Sequence, residues 1–509
     1  MSHSVNRPLE LTNRPRARER ALSYALLTAA VTAFLLVFSV TTSPLTPGFY
    51  GNDSAVFQLL GRAWKDGHLI YRDLFDHKGP VIFFIDMLGE LLLPDRTGIF
   101  LIQILFGSAT AFGLYETARI RFRPAVSLGI ALYCLFCLVT WYGDGGNMTE
   151  EYCLPFLTWS LYFVVRYGLK PDRPHPPLWA FFYGITFAVC LLTRLTNAIC
   201  LCVWVFAIVL HLAITKRWKN LFANAGAFLG GLILIAAPFI AYFARNHALD
   251  DFWFGMIGLN MSVVSGRSEM EFYAVSAATF LRLSAKYIPL WLPILGGIFR
   301  LLRREYRMLS LAMIASGALF ALYVLWNRAV FLHYQMVNLP LTIAGLILCF
   351  PPREERRQDM LEKAERALAA LLATAMLGFS VNIAIHYEIL PGNAAYREQV
   401  ERTDAVASML NVVPESERNS IAVYNILPDA LLAADIIPCY PFSLNLDIHM
   451  RFSDEVTQRV RGQFASRQAK WVFATTVPDE DVQQTLSEFY EPVAVADAVE
   501  GYTLYRLLP

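Results

Sequence analysis

A succession of apolar runs, each close to the thickness of a bilayer core, governs what this chain can fold into. A helix needs about 20 apolar residues to cross that core. Such runs, some a little shorter, occupy residues 21–41, 98–118, 124–142, 152–167, 221–243, 287–302, 308–326, 337–350 and 367–386. The stretch 178–215 is too long for one span, so two helices are expected, broken near Thr193, Arg194, Leu195, Thr196 and Asn197. The fold class that follows is mainly α: a polytopic helical membrane bundle of about eleven spans. Composition agrees, since only 17% of the 509 residues are charged and 56% are apolar, against about 25% charged in soluble chains. A cytosolic enzyme and a disordered chain are excluded on that ground. The first run is not expected to be a cleaved signal, because its apolar part is long and no small-residue cleavage site follows.

Lysine and arginine orient the bundle, because short inner loops are rich in them. The tail over residues 1–20 carries Arg14, Arg16, Arg18 and Arg20 and is expected inside. Segment 80–93 decides the rest: it is short and holds Asp86 and Glu90. Apolar runs of about 14 residues are more often interfacial than spanning. Read as interfacial, it leaves the later clusters inside: Arg119/Arg121/Arg123, Arg166/Lys170/Arg173, Lys216/Arg217/Lys219, Arg300/Arg303/Arg304/Arg307 and Arg353/Arg356/Arg357. The membrane part then covers 21–386, with a long first outer loop at 42–97. Shorter outer stretches fall at 143–151, at Arg194, at 244–286 and at 327–336.

From residue 387 the chain turns polar, and 387–509 is long enough for one small outer domain. Short strands at 421–425, 471–475, 493–496 and 502–507 alternate with helices at 453–466 and 479–489. The acidic first turns of those helices suit the helix dipole, and the alternation predicts a small α/β domain. Most of the eight cysteines lie in apolar runs, which favours neither a disulfide framework nor a zinc site. A net charge of +1 gives no sign of a nucleic-acid partner.

The unusual residues gather in the outer loops. Asp53 precedes Phe57, Leu60 and Trp64, whose helical spacing predicts an amphipathic helix lying on the membrane. Asp53 would stand at or just before its start, as a plain N-cap or as a carboxylate with chemistry to do. The same loop passes Tyr71 and ends at His77-Lys78-Gly79-Pro80. Lys78 is placed either to pair with a lipid phosphate or to snorkel as an anchor. The second loop ends in Glu150 and Glu151, which read as the first turn of a helix capped by Thr149 or as acids held at a span mouth for use. Arg194 carries the same choice between a hairpin turn and a functional charge. Arg245, Asn246, His247, Asn327, Arg328, His333 and Tyr334 are weaker signals.

Together these residues resemble the C-type glycosyltransferase superfamily, nearest the branch of protein O-mannosyltransferases and lipid A aminoarabinose transferases. Asp53 matches the first acid, His77-Lys78-Gly79-Pro80 the His/Glu-Lys-Pro-Pro stretch, and Glu150 or Glu151 the second acid; the resemblance spans roughly residues 20–350. Gly79 replaces the first proline of the pair, Ser54 stands where many relatives have Glu, and the second site is Glu-Glu where relatives often show one Asp. The resemblance implies transfer of a sugar from a polyprenyl-phosphate donor to a lipid, glycan or protein acceptor. The transfer would occur at the outer face of a bacterial inner or plasma membrane, in one inverting displacement. Asp53 would then take the acceptor proton. Lys78, with Arg194, would stabilise the departing phosphate, and His77, Tyr71, His333 and Tyr334 would line the substrate site. Glu150 or Glu151 would bind the acceptor or position the neighbours of Asp53. A leaving group with one phosphate calls for no metal, and no cofactor is expected. A transporter or lipid-linked-saccharide flippase is the alternative, but such proteins keep polar residues near the membrane midplane. A non-catalytic scaffold would leave the loop acids unexplained.

Overall fold

The computed structural model describes residues 17–93, 95–140, 144–262, 288–327, 332–350, 363–372, 374, 375, 378 and 394–509. Arg14, Arg16, Arg328, the cluster Arg353/Arg356/Arg357 and most of the run at 367–386 lie outside the described residues.

The chain is mostly helical. Its first nine α-helices are α1 (Ala17–Phe38), α2 (Asn52–Lys65), α3 (Pro80–Leu92), α4 (Thr97–Arg119), α5 (Pro124–Thr140), α6 (Thr149–Gly168), α7 (Pro177–Leu191), α8 (Ile199–Ile214) and α9 (Trp218–Arg245). Helices Ile288–Leu302, Arg307–Asn327 and Leu341–Cys349 follow. Four described helical stretches are long and apolar enough to cross a membrane: Ala17–Phe38, Thr97–Arg119, Leu195–Ile214 and Trp218–Arg245. The other apolar helices are shorter. Large apolar side chains such as Phe222, Leu229, Ile233 and Leu234 face outward from α9, a surface that water would penalise and lipid accepts.

The expected break between α7 and α8 is present. Arg194 is extended, and a 3-10 turn at Leu195–Ala198 restarts the helix. Helix α3 is short, as expected for a segment that does not cross. Helix α2 departs from expectation. It does not lie on a lipid surface, because Ser54–Trp64 are all buried. The C-terminal part covers its polar side: Arg62 donates to Asp435 at 2.9 Å and meets Glu90 of α3 at 3.3 Å. Amphipathic spacing shows that a face is hidden but not whether lipid or protein hides it. Asp53 is likewise not the N-cap. Gly51 holds that place at φ 93, and Asp53 is the second helical residue with no capping bond.

The C-terminal part builds a four-stranded sheet in the order β1-β2-β4-β3. Strand β1 (Ile421–Tyr424) runs parallel to β2 (Trp471–Ala474), while β4 (Thr503–Leu507) pairs antiparallel with both β2 and β3 (Tyr490–Pro492). Ser453 and Asp479 cap the helices Asp454–Ala465 and Glu480–Phe489 by accepting from Val456 and Val482. The third strand falls at Tyr490–Pro492 rather than at 493–496, because Tyr490 and Pro492 take the register opposite Leu507 and Tyr505. Pairing across the sheet outweighs the local valine content. The sheet and the loop between α1 and α4 share one apolar core. At the join, Phe75 donates its N–H to Pro441 O at 3.0 Å and packs on Phe442 with centroids 4.6 Å apart.

Candidate active site

The site begins where two loops pair through their backbones. Gly79 N–H donates to Thr193 O and Val81 N–H to Leu192 O, both at 3.0 Å. A Cβ on Gly79 would lie 2.1 Å from Leu192 O, so no side chain fits there. That accounts physically for glycine in the stretch where relatives carry proline: this backbone must donate and must approach closely. The pairing joins the backbone next to Lys78 with the backbone next to Arg194, at the N-terminal ends of α3 and of the turn into α8.

The Lys78 ammonium contacts His77 Nε2 at 3.1 Å and lies 5.9 Å from the centroid of Phe57. Phe57 follows Asp53 by four residues on α2, so the two share a helix face. Lys78 therefore approaches the side of α2 that carries Asp53. Asp76 is buried below, accepting from Lys78 N–H at 3.2 Å, with His77 Nδ1 3.4 Å away. Burial alone would raise the Asp76 carboxyl, but Lys78 and His77 outweigh it and hold it well below the usual carboxylate range.

His449 reaches this cluster from the C-terminal part, with its Nε2 3.0 Å from His77 Nδ1. Burial, with His77 and Lys78 adding to it, pushes His449 down to about 3, against a weaker pull from Asp76. Asp76, His77 and His449 each offer a ligand atom within 4.8 Å of the others. Such a trio can hold a divalent cation. Nothing in the sequence pointed to a metal here, because His449 carries no motif and lies far along the chain.

The second acidic site divides in two. Glu150 is 1% exposed and pairs with Arg194 at 3.0 Å. The Arg194 guanidinium stacks on Tyr334, 3.6 Å from the ring centroid. His333, beside Tyr334, meets Asp144 of the second loop at 3.0 Å. Glu151 turns elsewhere: it accepts from Gln103 at 2.8 Å and from Met148 N–H at 3.3 Å. It lines a mostly apolar cavity bounded by residues of α1, α4, α5 and α6. Successive residues on a helix point about 100° apart, so adjacent acids face different surroundings.

The structure thus gathers Lys78, His77, Arg194, Glu150, Tyr334 and His333 at one end of the bundle, with Asp53 on the adjoining face of α2. Tyr71 is 2% exposed, and its hydroxyl donates to Lys78 O at 2.7 Å, a bond that braces the loop. Thr149 does not cap α6, since Met148 holds the N-cap position and Thr149 is the first helical residue. Asp76, Asp86, Asn147 and His449 were missed as site residues. Only Asp86 had a signal, as an acid inside an apolar segment.

Residues 77–243 match the family described as dolichyl-phosphate-mannose-protein mannosyltransferase. The match includes Lys78, Glu150 and Arg194 and stops short of Asp53. Among solved structures, the chain is similar to ArnT from Cupriavidus metallidurans bound to undecaprenyl phosphate, at 16% identity and a TM-score of 0.58, covering 95% of this chain and 98% of that one. The apo state of the same protein matches at 15% identity and a TM-score of 0.56, over 95% and 98% of the two chains. AglB, the archaeal oligosaccharyltransferase from Archaeoglobus fulgidus, matches at 12% identity and a TM-score of 0.49, over 90% of this chain and 69% of that one. Against the curated proteins the sequence finds no match. The resemblance to the C-type glycosyltransferases is borne out, and with it the reading of the chain as an integral membrane protein.

Proposed function

We propose that this membrane glycosyltransferase moves a sugar from a polyprenyl-phosphate donor to an acceptor hydroxyl or amine at the outer face of a bacterial inner or plasma membrane. The observation that carries the reading is the backbone pairing of Gly79 with Thr193, which brings together the two loop stretches that carry Lys78 and Arg194, two cations suited to a lipid phosphate. A solved relative, ArnT, is described as bound to undecaprenyl phosphate, the leaving group that this arrangement suits.

The chemistry is one displacement. The acceptor oxygen or nitrogen attacks the anomeric carbon from the face opposite the phosphate, so the configuration inverts. The bond from that carbon to the phosphate oxygen breaks, and its electron pair stays on the phosphate. Lys78 and Arg194 stabilise the charge that grows there. Asp53 takes the acceptor proton; it is only partly buried and sits in the first turn of α2. Glu150 holds Arg194 in place. Glu151, in the cavity with Gln103, is set to meet the acceptor. A scaffold or a transporter gives these pairings no task.

Contacts support the proposed sidedness. His449 and Asp435 of the C-terminal part touch His77 and Arg62, so that part lies on the Lys78 side. Arg20 pairs with Glu116 at 2.7 Å and Arg123 with Glu365 at 3.6 Å, which groups basic residues from the expected inner loops at the other end. An N-terminus inside and a C-terminal domain outside, over residues 387–509, satisfy both, and about eleven spans over 21–386 remain the count that charge placement favours.

The test supplies purified protein with a panel of polyprenyl-phosphate sugars, together with a panel of lipid, glycan and peptide acceptors, and follows release of free polyprenyl phosphate. One donor should be consumed, and Asp53→Asn should abolish consumption while lipid binding survives. No turnover with any donor, or full turnover by Asp53→Asn, would overturn the reading or its base respectively.

A further inference from the structure

We propose that Asp86 is a positioning residue: through Asn147 and Ser54 it holds the start of α2 against the loop that leads into α6. The inference rests on the reading of Asp53 as the base, since Ser54 is the next residue along.

Asp86 lies on α3 and is fully buried. Its Oδ2 accepts from Asn147 Nδ2 at 3.0 Å. Asn147 Nδ2 also donates to Ser54 Oγ at 3.1 Å, and Gln58 Nε2 donates to the same oxygen at 2.9 Å. The Tyr152 hydroxyl donates to Asn147 Oδ1 at 2.5 Å. Five buried polar side chains from α2, α3, the second outer loop and α6 thus meet in one knot. Buried networks of this kind rigidify what they join.

The backbone around the knot is equally constrained. Asn147 stands at φ 62, a left-handed conformation that asparagine tolerates. The glycines before it are tied to the end of α1, with Thr41 N–H and Oγ1 donating to Gly145 O and Gly146 O at 3.0 Å each. A Cβ on Gly61 of α2 would lie 2.7 Å from Asp86 Cβ, so α2 and α3 approach closely at Asp86.

An acid is an unexpected residue for a purely structural role here. Its Oδ1 is buried with no hydrogen-bond partner among the described residues. Burial pushes the carboxyl well above its usual range; the Asn147 bond opposes this, and Glu90 and Glu151 add to it. Asp86 touches neither Asp53 nor Glu150. It acts by fixing Ser54, next to Asp53, and Asn147, three residues before Glu150. A displacement of about 1 Å in a reacting group can cost about 10²-fold in rate.

The test measures kcat and donor KM for Asp86→Ala, Asp86→Asn, Ser54→Ala and Asp53→Asn with the donor that the wild type consumes. Asp86→Ala should lower kcat about 10²-fold with donor KM within about twofold. Asp86→Asn, whose amide oxygen still accepts from Asn147, should recover all but about threefold. Ser54→Ala should lower kcat about tenfold, and adding it to Asp86→Ala should cost little more, because coupled residues are not additive. Wild-type kcat in Asp86→Ala, no rescue by Asn, or a loss expressed in donor KM would overturn the inference. If Asp86→Ala does not fold, Ser54→Ala decides it, and wild-type kcat there is the refuting result. Asp53→Asn separates the two failures. If it retains transfer, the base assignment falls. If it alone abolishes transfer, only the role of Asp86 falls.

Discussion

The Lys78 ammonium lies 5.9 Å from the centre of the Phe57 ring, and Phe57 stands one helical turn beyond Asp53 on α2. A cation at this range gains from the ring quadrupole. The contact brings the basic end of the first outer loop to the side of the helix that begins with the acid. In the proposed single displacement, donor phosphate and acceptor proton would then have neighbouring partners.

Lys78→Ala should therefore raise the apparent KM for the donor by about tenfold or more, the scale of a lost charge-assisted bond, with the acceptor KM little changed. Initial-rate kinetics with both substrates varied will show it. Equal effects on the two would remove Lys78 from the phosphate.

Arg194→Gln leaves Glu150 buried without its cation, and breaking such a pair costs about 3–5 kcal/mol. Since Arg194 keeps 18% side-chain exposure, the lower end is expected. Thermal melting in detergent should fall for Arg194→Gln and partly recover in Arg194→Gln with Glu150→Gln, while transfer stays lost in both. A double variant no more stable than the single one would deny the pairing.

Gly79→Ala places a methyl 2.1 Å from Leu192 O, and overpacking of this kind typically costs about 1–3 kcal/mol. Gly79→Pro also removes the N–H that Thr193 accepts. Both should lower the melting temperature and the activity, with Pro the worse. A Gly79→Pro enzyme of normal stability would show that the pairing with Thr193 is dispensable.

His175 precedes α7, where its Nδ1 lies 2.7 Å from Asn224 Oδ1. Burial lowers its pKa to about 4, with the Asn224 bond opposing. The folded protein thus resists a proton that the unfolded chain accepts near pH 6.5. Its contribution is full above about pH 6.5 and is lost as pH falls toward about 4. Melting curves between those pH values should fall more steeply for the wild type than for His175→Gln. Parallel curves would refute the linkage.

A tag at the C-terminus should be reachable by a membrane-impermeant reagent on intact cells, and one at the N-terminus should not. Labelling of the N-terminal tag alone would reverse the orientation, and with it the face on which Asp53 and Lys78 work.

The sequence alone determined the helical membrane class, the break at Arg194, the short helix α3 and most of the C-terminal strands and helices. Each rests on local chemistry: runs of apolar side chains, charge bias between them, and period-two or period-3.6 patterning. The sequence also singled out Asp53, Lys78 and Arg194, because charge at the edge of an apolar bundle is costly and stands out. The tertiary structure alone decided which charge meets which. Glu150 and Glu151 are indistinguishable in sequence, yet one meets Arg194 and the other Gln103. Tyr71 looked like a loop aromatic and proved to brace Lys78. His449 entered the cluster only because the C-terminal part folds back over the first loop. The physical reason is common to all three: a side chain's partner across the fold depends on how the helices and the sheet pack, and no periodicity along the chain encodes that.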